Sequence, residues 1–185
     1  MIERYSRKKI KEVWQDYNRY SIWLKIELAA AEAMEKLKII PKGVVKKVRS
    51  KAKKLIDITY QAMMKGIEIL KDGIHIGDIG AKIQKHVESN GCSVVQDFCG
   101  HGIGRSFHEE PNVLHFGKEG TGDKIKAGMI FTIEPMINLG GYETKVLNDG
   151  WTAVTKDKSL SAQFEHTVGI TKEGYEIFTK SKQVN

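Results

Sequence analysis

The chain has 185 residues, of which 41% are hydrophobic and 29% are charged. That composition is typical of a globular protein with a hydrophobic core, and it argues against a disordered or fibrous chain. No uncharged run exceeds eight residues, so we expect neither a membrane span nor a signal peptide. Cys92 and Cys99 are the only cysteines, which favours reduced thiols and a cytoplasmic location.

The net charge of +7 is unevenly distributed along the chain. Residues 1–54 contain sixteen Lys and Arg against six Asp and Glu, whereas residues 55–185 contain fourteen against seventeen. Such a shift marks a boundary, so we predict a basic helical segment at 1–54 and a second domain at 55–185. The basic cluster at residues 46–54 could attract phosphates. It lacks interleaved aromatic residues and a recognisable binding motif, so a solvated helix face is favoured over nucleic-acid binding.

Three helices are predicted before residue 92. Residues 8–39 contain no Gly or Pro, and their apolar residues recur at three- and four-residue spacing, which indicates an amphipathic helix. A second helix is expected to start at Val44 and to run into the sixties. Asp78 is a candidate N-cap for a third helix, which would stop at Gly91.

After residue 92 the apolar period changes to two, which predicts strands. The predicted strands are residues 93–95, 129–134, 142–147, 151–155, 163–170 and 175–178. Turn signals lie between several of them, for example at residues 148–150. Helices followed by an antiparallel run indicate an α+β fold.

The segment at residues 99–105 (CGHGIGR) places His101 between glycines. Glycines permit a backbone with positive φ and allow a ligand to approach closely, so the imidazole could project into a site. A histidine in a glycine-rich turn can equally be a hydrogen-bonded surface residue, and this motif alone does not decide between the two.

Two carboxylates, Glu134 and Glu165, end or interrupt apolar strands, where alternation would bury a neutral residue. A buried carboxylate costs several kcal/mol unless a cation or hydrogen bonds compensate. Together with His101 they would form a mixed oxygen and nitrogen site for Mn, Fe, Co or Zn. The alternative is a salt bridge from either glutamate to Arg105 or to a lysine. Further histidine candidates, one of which could support a ligand rather than bind the ion, are His108, His115 and His166.

Several long motifs together resemble a known family. They occur in the family's order, at residues 78–85 (DIGAKIQK), 99–105 (CGHGIGR), 107–111 (FHEEP), 131–136 (FTIEPM), 149–152 (DGWT) and 159–167 (SLSAQFEHT). Residues 56–178, approximately, resemble the C-terminal half of a bacterial type I methionine aminopeptidase. The resemblance implies half of a pita-bread fold, and it implies removal of the N-terminal methionine from peptides by a metal-activated water.

The resemblance also implies roles for individual residues. His101, Glu134 and Glu165 match ligands of a divalent metal (Co, Mn, Fe or Zn), and Glu165 matches a ligand that bridges two ions. Glu134 would also be catalytic, because it can take up and pass on a proton. His108 matches the catalytic histidine that contacts the scissile peptide and stabilises the tetrahedral intermediate. Trp151 matches a substrate-binding aromatic near the methionine pocket.

Part of the family's ligand set has no match in this sequence. The family has two aspartate ligands in its first half. The aspartates that precede the matching motifs lie in helical or turn contexts that do not fit, and they are Asp16, Asp57, Asp72 and Asp78. With three of five protein ligands, we expect one weakly bound ion and low or absent activity.

The first fifty residues resemble a different family. Residues 1–7 (MIERYSR), 22–33 (IWLKIELAAAEA) and 39–44 (IIPKGV) are similar to the N-terminal helical segment of adenylosuccinate lyase, over about residues 1–52. In that family the position of Arg4 and Tyr5 touches the nucleotide. The lyase's signature loop and catalytic residues have no match here, so lyase activity is not expected. The junction would lie near residues 51–55, in a natural or engineered fusion.

Two hypotheses follow from these resemblances. The chain is either a metallo-aminopeptidase with an altered N-terminus, or a noncatalytic chimera in which lyase-like helices cover a half pita-bread sheet. The expected partner is a peptide N-terminus, without membrane contact. A homodimer is a further alternative, with an unpaired sheet edge or the helices as its interface.

Overall fold

Three helices precede ten short strands in the computed structural model of the protein, which describes residues 16–179. The helices are α1 (Asp16–Lys36), α2 (Val44–Glu68) and α3 (Ile76–Ser89). The strands are β1 (Ser93–Val94), β2 (Gly100–Gly102), β3 (Glu109–Val113), β4 (Ile130–Ile133), β5 (Met136–Asn138), β6 (Thr144–Val146), β7 (Ala153–Thr155), β8 (Ser161–Gln163), β9 (His166–Ile170) and β10 (Tyr175–Ile177). One compact unit comprises Ala52–Thr179, and the described part of the other ends at Lys51.

The first two helices follow the sequence prediction closely. Helix α2 confirms the helix expected from Val44 into the sixties. The helix predicted at residues 8–39 is described from Asp16 onward, and its residues 8–15 lie outside the described residues. It ends before residue 39, because Lys38 adopts a left-handed φ of 58° that interrupts the helical hydrogen bonds.

Within the first unit, Glu35 of α1 caps the start of α2. Its carboxylate accepts the backbone N–H of Gly43 and, at 3.2 Å, that of Val45. These N–H groups have no partner inside the helix, and the positive end of the helix dipole favours a negative charge. The short connection at Pro41 and Gly43, predicted as a break between helices, is therefore stabilised by a local carboxylate.

Helix α3 begins two residues before the predicted N-cap, so the assignment of Asp78 as N-cap is wrong. His75 is the cap residue, and Asp78 is the third residue of the helix. The Asp78 carboxylate accepts the N–H of Gly120 at 2.6 Å and that of His75 at 2.8 Å. The hydrogen bond from Gly120 and, to a smaller extent, that from His75 stabilise the charged form and lower the pKa of Asp78.

Antiparallel strands form two sheets and a hairpin in the unit Ala52–Thr179. The five-stranded sheet has the order β10-β9-β4-β2-β3, and the three-stranded sheet has the order β1-β5-β8. Strands β6 and β7 pair separately as a two-stranded hairpin around the predicted turn. Helices followed by antiparallel sheets confirm the predicted α+β class.

The strand predicted at residues 129–134 is shorter than expected, and it is followed by a strand that was not predicted. Strand β4 ends at Ile133, and the chain continues after Pro135 as β5 in the other sheet. Proline has no N–H for a ladder and disfavours helical geometry in the residue before it. A crossing from the five-stranded sheet to the three-stranded sheet therefore lies at Glu134 and Pro135.

The single strand predicted at residues 163–170 is wrong. Strand β8 ends at Gln163 in the three-stranded sheet, and β9 begins at His166 in the five-stranded sheet. An alternating pattern cannot reveal such a change, because it reports which face is buried but not which strands pair. The two crossings are adjacent, because Ile133 pairs with His166 and Met136 pairs with Gln163.

The glycine-rich segment at residues 99–105, predicted as a turn, contains strand β2 between β3 and β4. A Cβ at Gly100 would lie 2.3 Å from the backbone oxygen of Thr132, and one at Gly102 would lie 2.1 Å from that of Glu110. Neither glycine has a left-handed φ. The glycines are therefore required for close backbone packing in the sheet rather than for an unusual turn.

The hydrophobic core joins the inner faces of α2 and α3 to the sheets. Its fully buried members include Met63 and Ile67 of α2, Ile79 and Ile83 of α3, and Phe131 of β4. Met63 therefore fills the core with its flexible side chain. Among residues 16–179, no helix has the length and hydropathy that crossing a membrane requires. Both cysteine thiols are free, as expected.

We expect Asp78→Ala to lower the free energy of unfolding by about 1 kcal/mol at pH 7, the usual effect of removing a helix-capping side chain. Folding lowers the pKa of Asp78 from its ordinary value of 3.8. Its stabilisation is therefore present above pH 3.8 and is lost as the pH falls through the folded-state pKa. Urea denaturation at several pH values measures the difference, which we expect to shrink in acid. Glu119→Ala, which removes an exposed carboxylate from the adjacent loop, is the control, and equal losses in both variants at pH 7 would contradict this prediction.

Candidate functional site

Glu134 and Glu165 both lie where the chain crosses between the two sheets. Glu134 separates β4 from β5, and Glu165 lies between β8 and β9. Because β4 pairs with β9 and β5 pairs with β8, the two crossings are next to each other. Sheet pairing thus places two carboxylates from distant parts of the sequence at one boundary.

His101 approaches Glu134 from the neighbouring strand β2. Its backbone N–H donates to the Thr132 hydroxyl at 2.9 Å, and its Nδ1 lies 3.0 Å from the Gly102 carbonyl oxygen. Since a carbonyl oxygen only accepts, we assign the proton to Nδ1, which leaves a lone pair on Nε2. Nε2 lies 3.8 Å from Glu134 Oε1. A nitrogen donor and an oxygen donor therefore face each other.

Glu134 is hydrogen-bonded through both its carboxylate and its backbone. Oε1 accepts the hydroxyl of Thr132 at 2.8 Å, and Oε2 accepts the amide of Gln163 at 3.2 Å. The backbone N–H of Glu134 donates to His115 Nε2 at 3.0 Å. These contacts limit the rotation of the side chain and fix the direction in which its carboxylate points.

The surroundings of Glu134 disfavour its negative charge. Burial raises the pKa of Glu134, because the carboxylate loses hydration, and the hydrogen bond from Thr132 partly opposes that shift. The negative charge of Glu165 raises the pKa further, whereas His101 and His108 act in the opposite direction. A cation at this point would relieve both the lost hydration and the repulsion between the carboxylates.

Glu165 is exposed, and its charge acts on Glu134 across the boundary between the sheets. Within residues 16–179, no three His, Cys, Asp or Glu side chains already stand at the spacing of a metal cluster. Neither glutamate pairs with Arg105 or a lysine among the ion pairs of these residues. The described residues therefore do not form the salt bridge that was the alternative to a metal site.

His108 lies against His101 in the loop that joins β2 to β3. The two rings have centroids 4.3 Å apart in an edge-on arrangement, and Phe107 packs on both rings. His108 is exposed, so a ligand could reach it from solvent. The structure therefore brings the His101 and His108 rings into contact, and the charge of His108 acts on Glu134.

Trp151 lies at the turn of the β6–β7 hairpin. The Asp149 carboxylate holds that turn by accepting the N–H groups of Trp151 and Thr152 and the Thr152 hydroxyl. The indole is 90% exposed, so it projects into solvent rather than packing against another site residue.

The other two candidate histidines have different environments. His115 is 2% exposed, and burial lowers its pKa to about 3, so its ring is neutral. Nδ1 of His166 lies 2.9 Å from the Thr179 hydroxyl. His115 therefore supports Glu134 through its backbone N–H.

Two polar residues of the site were not identified from the sequence. Thr132 bonds both His101 and Glu134, and Gln163 bonds Glu134. Thr132 is fully buried between Phe131 and Ile133, so a hydroxyl inside an apolar strand was the available signal. Gln163 had no such signal, because its role depends on the pairing of β5 with β8.

The chemistry of these donors fits a divalent cation. His101 presents an unprotonated ring nitrogen while its other ring nitrogen bonds a carbonyl, the arrangement that metal-binding histidines usually have. Glu134 adds an oxygen donor, and Glu165 adds negative charge nearby. Imidazole with carboxylate suits Mn, Fe, Co or Zn.

We expect the metal-free protein to lose stability as the pH rises through the pKa of Glu134. Folding raises that pKa above its ordinary value of 4.5, so the stabilisation is present below pH 4.5 and is lost as the carboxyl ionises. Glu134→Gln removes the contribution of this carboxyl group to the pH dependence of stability. Thermal unfolding in the presence of a chelator, from pH 4 to pH 8, measures it, and Glu143→Gln on the exposed hairpin is the control. Parallel pH profiles for wild type and Glu134→Gln would contradict the expectation.

Comparisons with known proteins identify the family of this chain. The model of metallopeptidase family M24 matches residues 40–172. The chain is 58% identical over 135 residues to a methionine aminopeptidase of Rickettsia prowazekii, covering 72% of this chain and 52% of the relative. It is 52% identical over 129 residues to the methionine aminopeptidase of Escherichia coli K12, covering 70% and 49%. The chain thus spans about half the length of these relatives.

Solved structures lead to the same family. The crystal structure of the Rickettsia prowazekii methionine aminopeptidase matches with a TM-score of 0.69, covering 70% of this chain and 53% of that one. The enzyme from Thermotoga maritima matches with a TM-score of 0.68 at 46% identity, covering 70% and 52%. These neighbours have the pita-bread fold, which confirms the predicted half pita-bread. The chain belongs to metallopeptidase family M24.

Proposed function

We propose that the chain is a metal-dependent aminopeptidase that removes N-terminal methionine from peptides at a low rate. The observation that carries the proposal is the pair formed by His101 Nε2 and Glu134 Oε1, 3.8 Å apart, beside the charge of Glu165. The relatives, which are methionine aminopeptidases, support the choice of substrate.

His101, Glu134 and Glu165 would hold a divalent ion (Co, Mn, Fe or Zn). Such an ion supplies positive charge that lowers the pKa of water and polarises a peptide carbonyl. Glu134 would accept a proton and return it, a role that its raised pKa favours. His108 would contact the scissile peptide and donate a hydrogen bond to the developing negative oxygen. Trp151 would contact the methionine side chain.

The low rate follows from the number of ligands. The family resemblance implies five protein ligands, and this chain matches three of them. Fewer ligands mean weaker binding, so we propose one ion per chain. A homodimer through a sheet edge or the helices remains part of the proposal, because unpaired strands invite association.

A second candidate is a noncatalytic chimeric protein with a lyase-like N-terminal segment. It is favoured by the finding that residues 16–179 contain no preassembled group of three metal ligands. The match to the family model starts at residue 40, so most of the lyase-like segment lies outside that match. In this candidate, lyase-like helices replace the missing part of the fold.

Turnover distinguishes the two candidates. With Co(II) or Mn(II) and the peptide Met-Ala-Ser, we expect methionine to be released well below about one turnover per second, the low end of usual enzyme rates. Glu165→Gln is expected to abolish that release by removing a ligand, whereas Glu143→Gln on the exposed hairpin retains it. Free methionine is measured by chromatography. No release above the metal-only background would refute the aminopeptidase and favour the noncatalytic candidate.

The stoichiometry of the ion is a separate expectation. Calorimetric titration of the chelator-treated protein with Mn(II) is expected to give at most one weak site per chain, because only three ligands are matched. His101→Ala is expected to remove the heat of binding, since the nitrogen donor is lost. His166→Ala serves as the matched control, because the resemblance assigns that histidine no ligand role. Two tight sites per chain would show that further ligands exist.

A further inference from the structure

The crossing between β4 and β5 leaves one backbone donor that needs a partner outside the ladder. The paired register of β4 ends at Ile133, and β5 starts its own register at Met136. Of the two residues between them, Pro135 has no N–H. The N–H of Glu134 is thus the only backbone donor of the crossing, and a buried N–H without a partner is costly.

A side chain provides that partner. His115 follows β3 and is 2% exposed, and its Nε2 accepts the Glu134 N–H at 3.0 Å. A nitrogen that accepts carries no proton, so the ring is neutral and its proton lies on Nδ1. The packing around the buried ring also limits its rotation. His115 therefore acts as a rigid acceptor beyond the end of the sheet.

The backbone bond and the side-chain bonds of Glu134 act on different degrees of freedom. Thr132 and Gln163 hold the carboxylate oxygens, and the Gln163 amide also donates to the Glu134 carbonyl oxygen at 3.4 Å, but none of these bonds holds the peptide plane between Ile133 and Glu134, which carries the Glu134 N–H. The bond to His115 fixes that plane, and with it the direction of the Cα–Cβ bond. The distance from Glu134 Oε1 to His101 Nε2 therefore depends on both sets of contacts.

We propose that His115 is a positioning residue for Glu134. It holds the backbone at the crossing so that the carboxylate and the His101 imidazole can bind one divalent ion. The inference rests on the proposed metal-dependent function, but it concerns a residue to which the family resemblance assigned no role. Loss of the acceptor would weaken ion binding without removing any ligand.

Co(II) alone is the probe, added to the chelator-treated full chain and followed by its visible absorption and by calorimetry. His115→Phe keeps a buried ring but removes the acceptor, and we expect Co(II) affinity to fall about tenfold or more, the usual effect of losing a residue that orients a ligand. His115→Gln can present an oxygen near the position of Nε2, and we expect it to restore affinity to within about threefold of wild type. Ile83→Val in the core of α3 controls for a general loss of stability.

Two experimental results would overturn this inference and leave the proposed function intact. One is wild-type binding with equal affinity in His115→Phe, and the other is an equal loss in His115→Phe and Ile83→Val at matched melting temperatures. A wild type that binds no Co(II) would refute the proposed function itself, and this inference with it.

A measurement on the unmodified chain keeps the inference testable if His115→Phe does not fold. In ¹⁵N-labelled protein, we expect a scalar coupling across the hydrogen bond between the Glu134 amide nitrogen and His115 Nε2, with the ring proton on Nδ1. Nitrogen chemical shifts of the ring assign the tautomer. A ring with its proton on Nε2 cannot accept the Glu134 N–H, and that result would overturn the proposal.

Discussion

The chain crosses between the two antiparallel sheets at two adjacent positions, at Glu134 and at Glu165. The rest of the site depends on this constraint. A β-ladder satisfies backbone groups only while strands remain paired, so a crossing needs other partners for its polar groups. At the crossing between β4 and β5, Pro135 removes one donor and His115 accepts the N–H of Glu134. Each crossing also interrupts the alternation of buried residues, which allows Glu134 and Glu165 to leave the core. The pair of carboxylates is thus a consequence of sheet topology.

Strand β2 supplies the nitrogen donor because it packs unusually close to its neighbours. Gly100 and Gly102 have no Cβ that would collide with the adjacent backbones, so His101 is held beside Thr132 and Glu134. Glu134 is a half-buried carboxylate with a second acid nearby, which is an unfavourable arrangement of charge. A divalent cation would reverse that balance, because its charge replaces the lost hydration. An ion that binds only the folded chain also stabilises the fold by linkage.

Family membership does not by itself determine how tightly a site binds an ion. The model of metallopeptidase family M24 matches residues 40–172, which include the motifs around His101, Glu134 and Glu165. The number of donors around an ion determines how tightly it binds and how strongly it activates water. The chain spans about half the length of these relatives, so their fold is shared over that part and their activity is a proposal for this chain.

Sequence by itself determined that helices precede strands, and it proposed the candidate site residues. The apolar period of α2 and the motifs around His101, Glu134 and Glu165 are local properties, so they could be recognised without coordinates. Only the tertiary structure decided that residues 163–170 divide between two sheets, and that Thr132, Gln163 and His115 bond Glu134. The physical reason is that alternation reports which face of a strand is buried, whereas the choice of partner strand depends on residues far away in the chain. The support around Glu134 is made of such distant contacts, which no local pattern contains.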